Sequence, residues 1–416
     1  MKAVDSVADF KSALKKYTAY TVSEVKKICG EIGPRSPGTE NERKTQEHFK
    51  EELGYCSDEV KLEEFSVHPK ALCGWVLIVG TSQLLALLFS FLNLPIVTLI
   101  LSTLSLMCML FEMIFYWEFI DRIFPKKTSS NVYGIRKPTG EVKQRIIFAG
   151  HSDSAFEMTY NYLGGSKLVF AVGVSAVVGM FYTFFESIIQ MILFGVAGGQ
   201  VTGFFAILRY LSLAFIPSFI ALFFFSNFRV VVPGANDNLT GAVTAISVLK
   251  YLEDNNIRFE NTEVVALATG SEEAGLRGAK NFTQAHLKEL QEIPTVFFGM
   301  DTLRDFDDMA IYSKDLSGTI KTDKRVCALM KKASERAGLD LSFSSVYFGA
   351  SDAAAVTKLG VPAATLAAQD PAPPRYYHTR GDTADKLIPK TIEAGFNTCL
   401  QALFLFDEQG LREDYR

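Results

Sequence analysis

The chain lacks the cysteine spacings that build disulfide frameworks or thiolate zinc sites. Its six cysteines, Cys29, Cys56, Cys73, Cys108, Cys327 and Cys399, form no CxxC and no paired spacing. Cys73 and Cys108 sit inside apolar runs, where a thiol behaves as a small hydrophobe. Positive charge is not in excess. A net charge of −4 gives no general attraction to nucleic acid or anionic lipid, so no nucleic-acid partner is expected. The opening residues, MKAVDSVADFKSALKKYTAY, hold no uninterrupted apolar core and no small-residue cleavage site, and no secretory signal peptide is expected there. Internal repeats and low-complexity tracts are also missing.

What the chain has instead is apolar length. Hydrophobic residues make up 48% of it and charged residues 21%. That balance is too apolar for a soluble enzyme and too polar for a membrane bundle, so it averages two kinds of segment. ALCGWVLIVGTSQLLALLFSFL (71–92) carries no charge, and IVTLILSTLSLMCMLFEMIFYW (96–117) carries only Glu112. A second block has apolar runs near 168–194 and 203–225 around a break, GVAGG. Each run is near the ~20 residues that cross a bilayer core. Core helices of soluble proteins are shorter and amphipathic, whereas these are apolar all round. Four transmembrane helices, in two hairpins, are predicted.

Flanking charge sets the orientation. Lys61, Lys70, Arg122, Lys126, Lys127, Lys167 and Arg229 lie at the outer ends of the runs, and the tight turns carry no Lys or Arg. The positive-inside rule then puts both termini and the soluble segments in the cytoplasm. Glu186 and Arg209 lie inside the second hairpin at similar distances from its turn. A lone charge there is costly, so the two are predicted to pair.

The remaining segments have α/β character. TENERKTQEHFKEEL reads as a helix with Thr39 and Glu42 spaced as a capping box. VKLEEFSV, QRIIFAG, EVVALATG, TVFFGM and VPAATLA read as strands. GAVTAISVLKYLEDN is helical, with Ala242, Ala245, Ile246, Leu249 and Leu252 on one face, and a last helix is expected near 387–408.

Acids and histidines cluster directly after these strands or at helix starts. The stretches are GHSDS (His151, Asp153), GANDNLTG (Asp237), ATGSEEAG (Glu272, Glu273), FGMDT (Asp301) and YYHTRGDT (His378, Asp382). Open α/β sheets place ligand sites at the carboxyl ends of strands, so these side chains can converge on one rim. Any one of them alone is ordinary surface decoration; all of them in this order are not. His, Asp and Glu without Cys suit a catalytic zinc or similar divalent ion. A two-metal site needs a bridging carboxylate, for which Asp237 is a candidate. Asp153 can orient the ring of His151. In the Glu272–Glu273 pair one carboxylate can bind metal while the other stays free as a base. His68 and His286 read as packing or surface residues. DTLRDFDD after Asp301 reads as a solvated acidic loop whose Arg304 and Asp305 can touch substrate.

The constellation resembles the co-catalytic di-zinc aminopeptidase family, which includes bacterial leucine aminopeptidases and glutamate carboxypeptidase II, with glutaminyl cyclases and the transferrin receptor as divergent members. The resemblance covers about 1–65, 128–160 and 228–410. It extends to GEIGPRSPGTENERKTQEHFKEELG, GASDAAAVTKLGVPAATL and HTRGDTADKL. It implies a mixed central sheet flanked by helices, the zinc-exopeptidase fold. It also implies two divalent ions, most often zinc: His151 and Asp301 on one, Glu273 and His378 on the other, Asp237 between them, and Asp153 behind His151. Glu272 would be the general base, taking a proton from the attacking water and passing it to the leaving amine. Tyr377 matches an oxyanion-stabilising position, with Tyr347 and Tyr376 as competitors. A cis peptide at Asp237–Asn238 is a further family feature.

A related carboxypeptidase and deacylase family inserts a large dimerisation domain before its last His. Here His378 follows Asp301 by only 77 residues, too few for that domain. Two other readings of the same fold are a glutaminyl cyclase-like acyltransferase and a non-catalytic receptor or scaffold; the full ligand set argues against the latter. Intramembrane proteolysis would need ligands inside the apolar runs, which hold no His or Asp.

Asp237 follows Asp153 by 84 residues, where relatives have a short interval. Two membrane-spanning helices and a turn account for the excess, and an even number of crossings returns the chain to one site. The predicted organisation is a catalytic domain, 1–65 with 128–163 and 228–416, interrupted by hairpins at 66–127 and 164–227. The predicted activity is removal of N-terminal residues from peptides with a free N-terminus. The active site is expected to face the membrane surface, with the lipid bilayer as partner; the hairpins either deliver hydrophobic or membrane-associated peptides to it or simply anchor an enzyme that acts on cytosolic peptides.

Overall fold

The computed structural model describes residues 2–346, 349–372 and 374–415. The chain divides into two compact units, one of Met1–Pro69, Lys126–Phe156 and Val230–Arg416, the other of Lys70–Pro125 and Glu157–Arg229.

The first unit is built on eight strands. In chain order its strands, with two short ones where the chain passes between units, are β1 (Glu59–Val67), β2 (Lys127–Arg136), β3 (Gln144–His151), β4 (Phe156–Met158), β5 (Ser226–Val231), β6 (Thr262–Thr269), β7 (Thr295–Leu303), β8 (Met309–Lys314), β9 (Ser342–Ser345) and β10 (Ala363–Ala368). The main sheet runs β1-β2-β6-β3-β7-β10-β8-β9. Its centre is parallel: β3 pairs with β6 and β7, and β7 with β10. Antiparallel pairs join β1 to β2, β2 to β6 and β8 to β10. Parallel strands are covered on both faces, which is why β6, TEVVALAT, and β10, AATLAA, are buried at every position. This is a mixed central sheet flanked by helices, as expected.

Two helices dominate the cover. Thr240–Asp254 is buried almost all round, beyond the single apolar face its periodicity predicts, because it packs against the sheet and under other helices. Gly150 and Gly241 permit this approach: a Cβ on Gly150 would lie 2.4 Å from the backbone nitrogen of Ala242. The last helix, Pro389–Gln409, buries Phe396, Phe404 and Phe406.

The capping box at the start of helix Glu40–Gly54 forms only by half. Thr39 Oγ1 accepts from Glu42 N at 3.5 Å. The Glu42 carboxylate turns inward and accepts from Gly38 N (2.7 Å), Ser129 Oγ (3.0 Å) and both the backbone and the hydroxyl of Ser271. Burial and the nearby Asp153 push the Glu42 carboxyl up to about 8, against these donors.

The second unit contains four helices long and apolar enough to cross a membrane: Ala71–Phe91, Pro95–Ile114, Thr159–Phe194 and Phe204–Phe224. The third starts well before its apolar run, because TYNYLGGSK continues the helical chain up to a kink at Gly165. Hydropathy marks the stretch that suits a membrane, not the ends of the helix. The unit is inside-out relative to a soluble bundle. Ser102 Oγ bonds Thr183 Oγ1 at 3.3 Å, and Thr183 in turn bonds Gln83 Oε1 at 2.6 Å, all buried. Leu88, Ile100, Val174, Phe185 and Ile192 are exposed. Polar residues glue such helices together while apolar ones face outward.

Glu186 and Arg209 do not form the predicted ion pair. Ser90 stands between them: its hydroxyl donates to Glu186 Oε1 at 2.9 Å, while Arg209 Nη1 donates to the Ser90 carbonyl (3.1 Å) and to Asn93 Oδ1 (2.7 Å). Arg209 also rests over the Phe91 ring at 5.0 Å. The end of the neighbouring helix, through Ser90 and Asn93, supplies their partners instead. Ser90→Ala should cost about 1–3 kcal/mol in unfolding from detergent micelles, since it strips a half-buried carboxylate of its hydroxyl donor.

Candidate metal centre

The parallel core places the site. Strands β6, β3 and β7 are neighbours running in one direction, so their carboxyl ends open on the same edge. His151 closes β3, Glu272 and Glu273 follow β6, and Asp301 lies at the end of β7. Asp237 lies in the turn that leads into helix Thr240–Asp254, and the peptide bond from Asp237 to Asn238 is cis.

These residues meet. His151 Nε2 lies 3.2 Å from Asp237 Oδ1, and His378 Nε2 lies 3.2 Å from both Asp237 Oδ2 and Glu273 Oε1. Two groups of ligand atoms therefore share Asp237: His151 with Asp237 and Asp301, and Asp237 with Glu273 and His378, each within 4.8 Å of one another. His151, Glu272 and Glu273 fall within the same spacing. The Glu272 Oε2 to His151 Nε2 distance is 3.9 Å.

Asp153 does more than stand behind His151. It lies 3.4 Å from His151 Nδ1, and its two oxygens accept from Glu272 N and Glu273 N at 3.0 Å each. One buried carboxylate thus fixes the ring of one candidate ligand and the backbone of two more. Asp382 plays the matching part for Asp237, accepting from Asp237 N (3.0 Å) and from the backbone and side chain of Asn236. Asn238 then ties the turn to β7, donating to the Met300 carbonyl at 2.7 Å.

Arg35, from the GPR stretch, is fully buried and holds the chain on either side of the second insertion. It donates to the carbonyls of Ser152 (2.9 Å), Pro233 (2.8 Å), Gly234 (2.8 Å) and its neighbour Gly33 (3.0 Å).

The electrostatics ask for a cation. Burial raises Glu272 well above the usual carboxylate range, against the pull of His151 and with Glu273, Asp352 and Asp301 adding to it. Burial likewise pushes Asp301 up to about 7, helped by Asp237. Asp237 is held below its usual range: burial works against ionisation, but His151 and His378 outweigh it. Burial lowers His151 and His378, and the surrounding carboxylates more than reverse this. Among the described residues, Asp237 Oδ2 and Glu273 Oε1 are buried with no aligned hydrogen-bond partner. Carboxylates crowded around two imidazoles, with buried oxygens left unsatisfied, are the donor set of a hard or borderline divalent ion such as zinc.

The tyrosines separate. Tyr376 donates to Asp305 Oδ2 at 2.6 Å, which commits its hydroxyl elsewhere. Tyr347 lies outside the described residues. The Tyr377 ring stacks on His378 with centroids 3.9 Å apart. Arg304 and Asp305 are half-buried rather than free in solvent: they pair at 3.0 Å, and Asp305 accepts from Asp370 N as well as Tyr376. The expected loop is a latch for the segment that carries His378. His286 is a packing residue, paired with Glu63 at 2.9 Å.

Sequence reasoning missed Asp352. It is buried beside His151, Asn238 and Asp301, and accepts from Thr269 Oγ1 at 2.6 Å. GASDAAAV carried it, but an Asp at a helix start reads as a cap.

Residues 224–403 match the family model of peptidase family M28. No curated protein matches the chain by sequence. Among solved structures, the aminopeptidase from Aneurinibacillus sp. strain AM-1 is similar at a TM-score of 0.54 and 15% identity, over 96% of this chain and 95% of that one. BSAP, a zinc aminopeptidase from Bacillus subtilis, is similar at 0.55 and 14%, over 96% and 98%. An Acidobacteriales bacterium glutaminyl cyclase is similar at 0.54 and 13%, over 95% and 96%. Residues 224–403 thus resemble peptidase family M28, and the chain shares the fold of these zinc aminopeptidases and of the glutaminyl cyclase.

Proposed function

We propose that the protein is a membrane-anchored aminopeptidase that uses two zinc ions. The observation that carries this is the pair of ligand triads sharing Asp237. His151 and Asp301 would hold one ion, Glu273 and His378 the other, and Asp237 both. Bound there, zinc would supply Lewis acidity toward the scissile carbonyl and toward an attacking water.

The chain's own residues do the rest. Glu272 lies next to a ligand and its backbone is fixed by Asp153, so its carboxylate can take a proton from water and return it to the leaving amine. Tyr377, beside His378, offers a phenol that burial keeps protonated and able to donate to a developing oxyanion. A free substrate amine facing this acidic rim favours aminopeptidase over endopeptidase action.

In this reading the four apolar helices cross the bilayer in two hairpins, and the Lys and Arg that flank them support a cytoplasmic catalytic unit with both termini on the same side. The second insertion leaves the catalytic unit after Phe156, three residues past Asp153, and rejoins it at Val230, seven before Asp237. On that connectivity, substrates reach the site along the membrane: hydrophobic peptides, membrane-protein N-termini, or leader-peptide fragments.

One experiment tests the reading. Detergent-purified protein is analysed for metal and assayed on aminoacyl-amides, on peptides with free and blocked N-termini, and on N-terminal Gln peptides. Two zinc ions per chain and cleavage only of free N-termini are expected. A single ion with cyclisation of N-terminal Gln would favour a glutaminyl cyclase-like acyltransferase instead. In liposomes, equal hydrolysis of soluble and membrane-partitioned peptides would refute delivery along the membrane.

A further inference from the structure

The turn that carries Glu272 and Glu273 is held by side chains rather than by neighbouring backbone. Four successive amides donate to side-chain oxygens: Gly270 N to Asn131 Oδ1 at 3.0 Å, Ser271 N to Glu42 Oε1 at 2.7 Å, and Glu272 N and Glu273 N to the two oxygens of Asp153 at 3.0 Å each. Backbone bonding resumes at Ala274, whose N–H donates to the Ser271 carbonyl at 3.4 Å. Asn131, Glu42 and Asp153 are all buried, and they come from β2, from helix Glu40–Gly54 and from the chain just past β3.

Ser271 is the strained member of the turn. Its φ of 53° and ψ of 39° lie in the left-handed region, where a β-carbon is crowded by the backbone. A serine stays there only when its surroundings hold it. Glu42 supplies that hold. Its Oε1 accepts from the backbone and the hydroxyl of Ser271 (2.7 and 3.0 Å) and from Ser129 Oγ (3.0 Å), while Oε2 accepts from Gly38 N (2.7 Å). The angle at which Ser271 leaves β6 sets where the next two side chains point. Glu272 Oε2 comes to 3.9 Å from His151 Nε2, and Glu273 Oε1 to 3.2 Å from His378 Nε2.

We propose that Glu42 is a positioning residue for catalysis. Through Ser271 it fixes the turn that aims Glu272 and Glu273 into the site. The inference rests on the reading of Glu272 as base and Glu273 as metal ligand.

Amide exchange of the zinc-free full chain in detergent tests the hold without any turnover. Glu42→Met should speed exchange of a peptide spanning 270–273 at least about tenfold, the scale of one charged hydrogen bond, and leave helix Thr240–Asp254 at the parent rate. At saturating zinc, kcat of the same variant should fall at least about tenfold, with KM within about threefold of the parent. Glu42→Gln, whose amide oxygen can still face Ser271, should recover most of both effects. Adding Ser271→Gly to Glu42→Met should recover kcat, because glycine takes the left-handed conformation freely. If the methionine variant does not fold, Glu42→Asp takes its place, since it keeps the charge but falls one methylene short of Ser271. Faster exchange throughout the unit, an unchanged kcat, or no recovery with Ser271→Gly would overturn the proposal. Near-normal turnover by Glu272→Gln would instead overturn the reading of the base, and the exchange of the 270–273 amides would still decide whether Glu42 holds the turn.

Discussion

Glu272→Gln should lower kcat by about 10²–10⁴-fold while zinc content stays unchanged. The substitution keeps the shape of the side chain, and the backbone N–H that Asp153 holds is untouched. What it removes is the capacity to accept a proton. The neighbouring change, Glu273→Gln, should behave differently. Glu273 lies in the triad with Asp237 and His378, so its loss should lower metal content first and activity as a consequence. Elemental analysis alongside peptide release separates the two. Near-normal turnover by metal-loaded Glu272→Gln would remove Glu272 as the base.

Arg35→Met should destabilise the catalytic unit by on the order of 4 kcal/mol or more. The guanidinium, fully buried, satisfies carbonyls of Ser152, Pro233, Gly234 and Gly33. Methionine fills much of the volume but donates nothing, so buried carbonyls on both sides of the second insertion lose their partner. Arg35→Lys keeps the charge, yet one compact ammonium cannot reach carbonyls spread around a planar fork, and at least half the loss should remain. Chemical unfolding of the full chain in detergent, followed by a probe in the catalytic unit, measures both. A methionine variant within about 0.5 kcal/mol of the parent would show that water or backbone adjustment replaces the guanidinium.

The candidate ligand residues stood out in the sequence because metal chemistry restricts residue type and because strand ends are readable from hydrophobic runs. His151, Glu273 and Asp301 each stand where an apolar stretch stops. The four long apolar helices were legible for a similar reason, since length and apolarity suffice to mark them. The supporting contacts were not. Glu42 looks like half of a local capping box, but its carboxylate serves Ser129 and Ser271, far away in sequence. Ser90 carries no signal at all, and yet it sits between Glu186 and Arg209. Asp352 resembles a helix cap until the fold brings it beside His151. A local pattern reveals what a residue can do, whereas its partner depends on chain that returns from a distance.

The backbone N–H of Val232 bonds the carbonyl of Ala155 at 3.0 Å, and Ser154 Oγ bonds the Val232 carbonyl at 2.9 Å. For the catalytic unit, the whole second insertion is then a loop whose ends already touch, and loop length is entropically cheap. Its contents are exchangeable cargo. A two-residue turn such as Asn-Gly could replace it, and the stretch is free to diverge in length and composition while the residues around Asp153 and Asp237 stay in register.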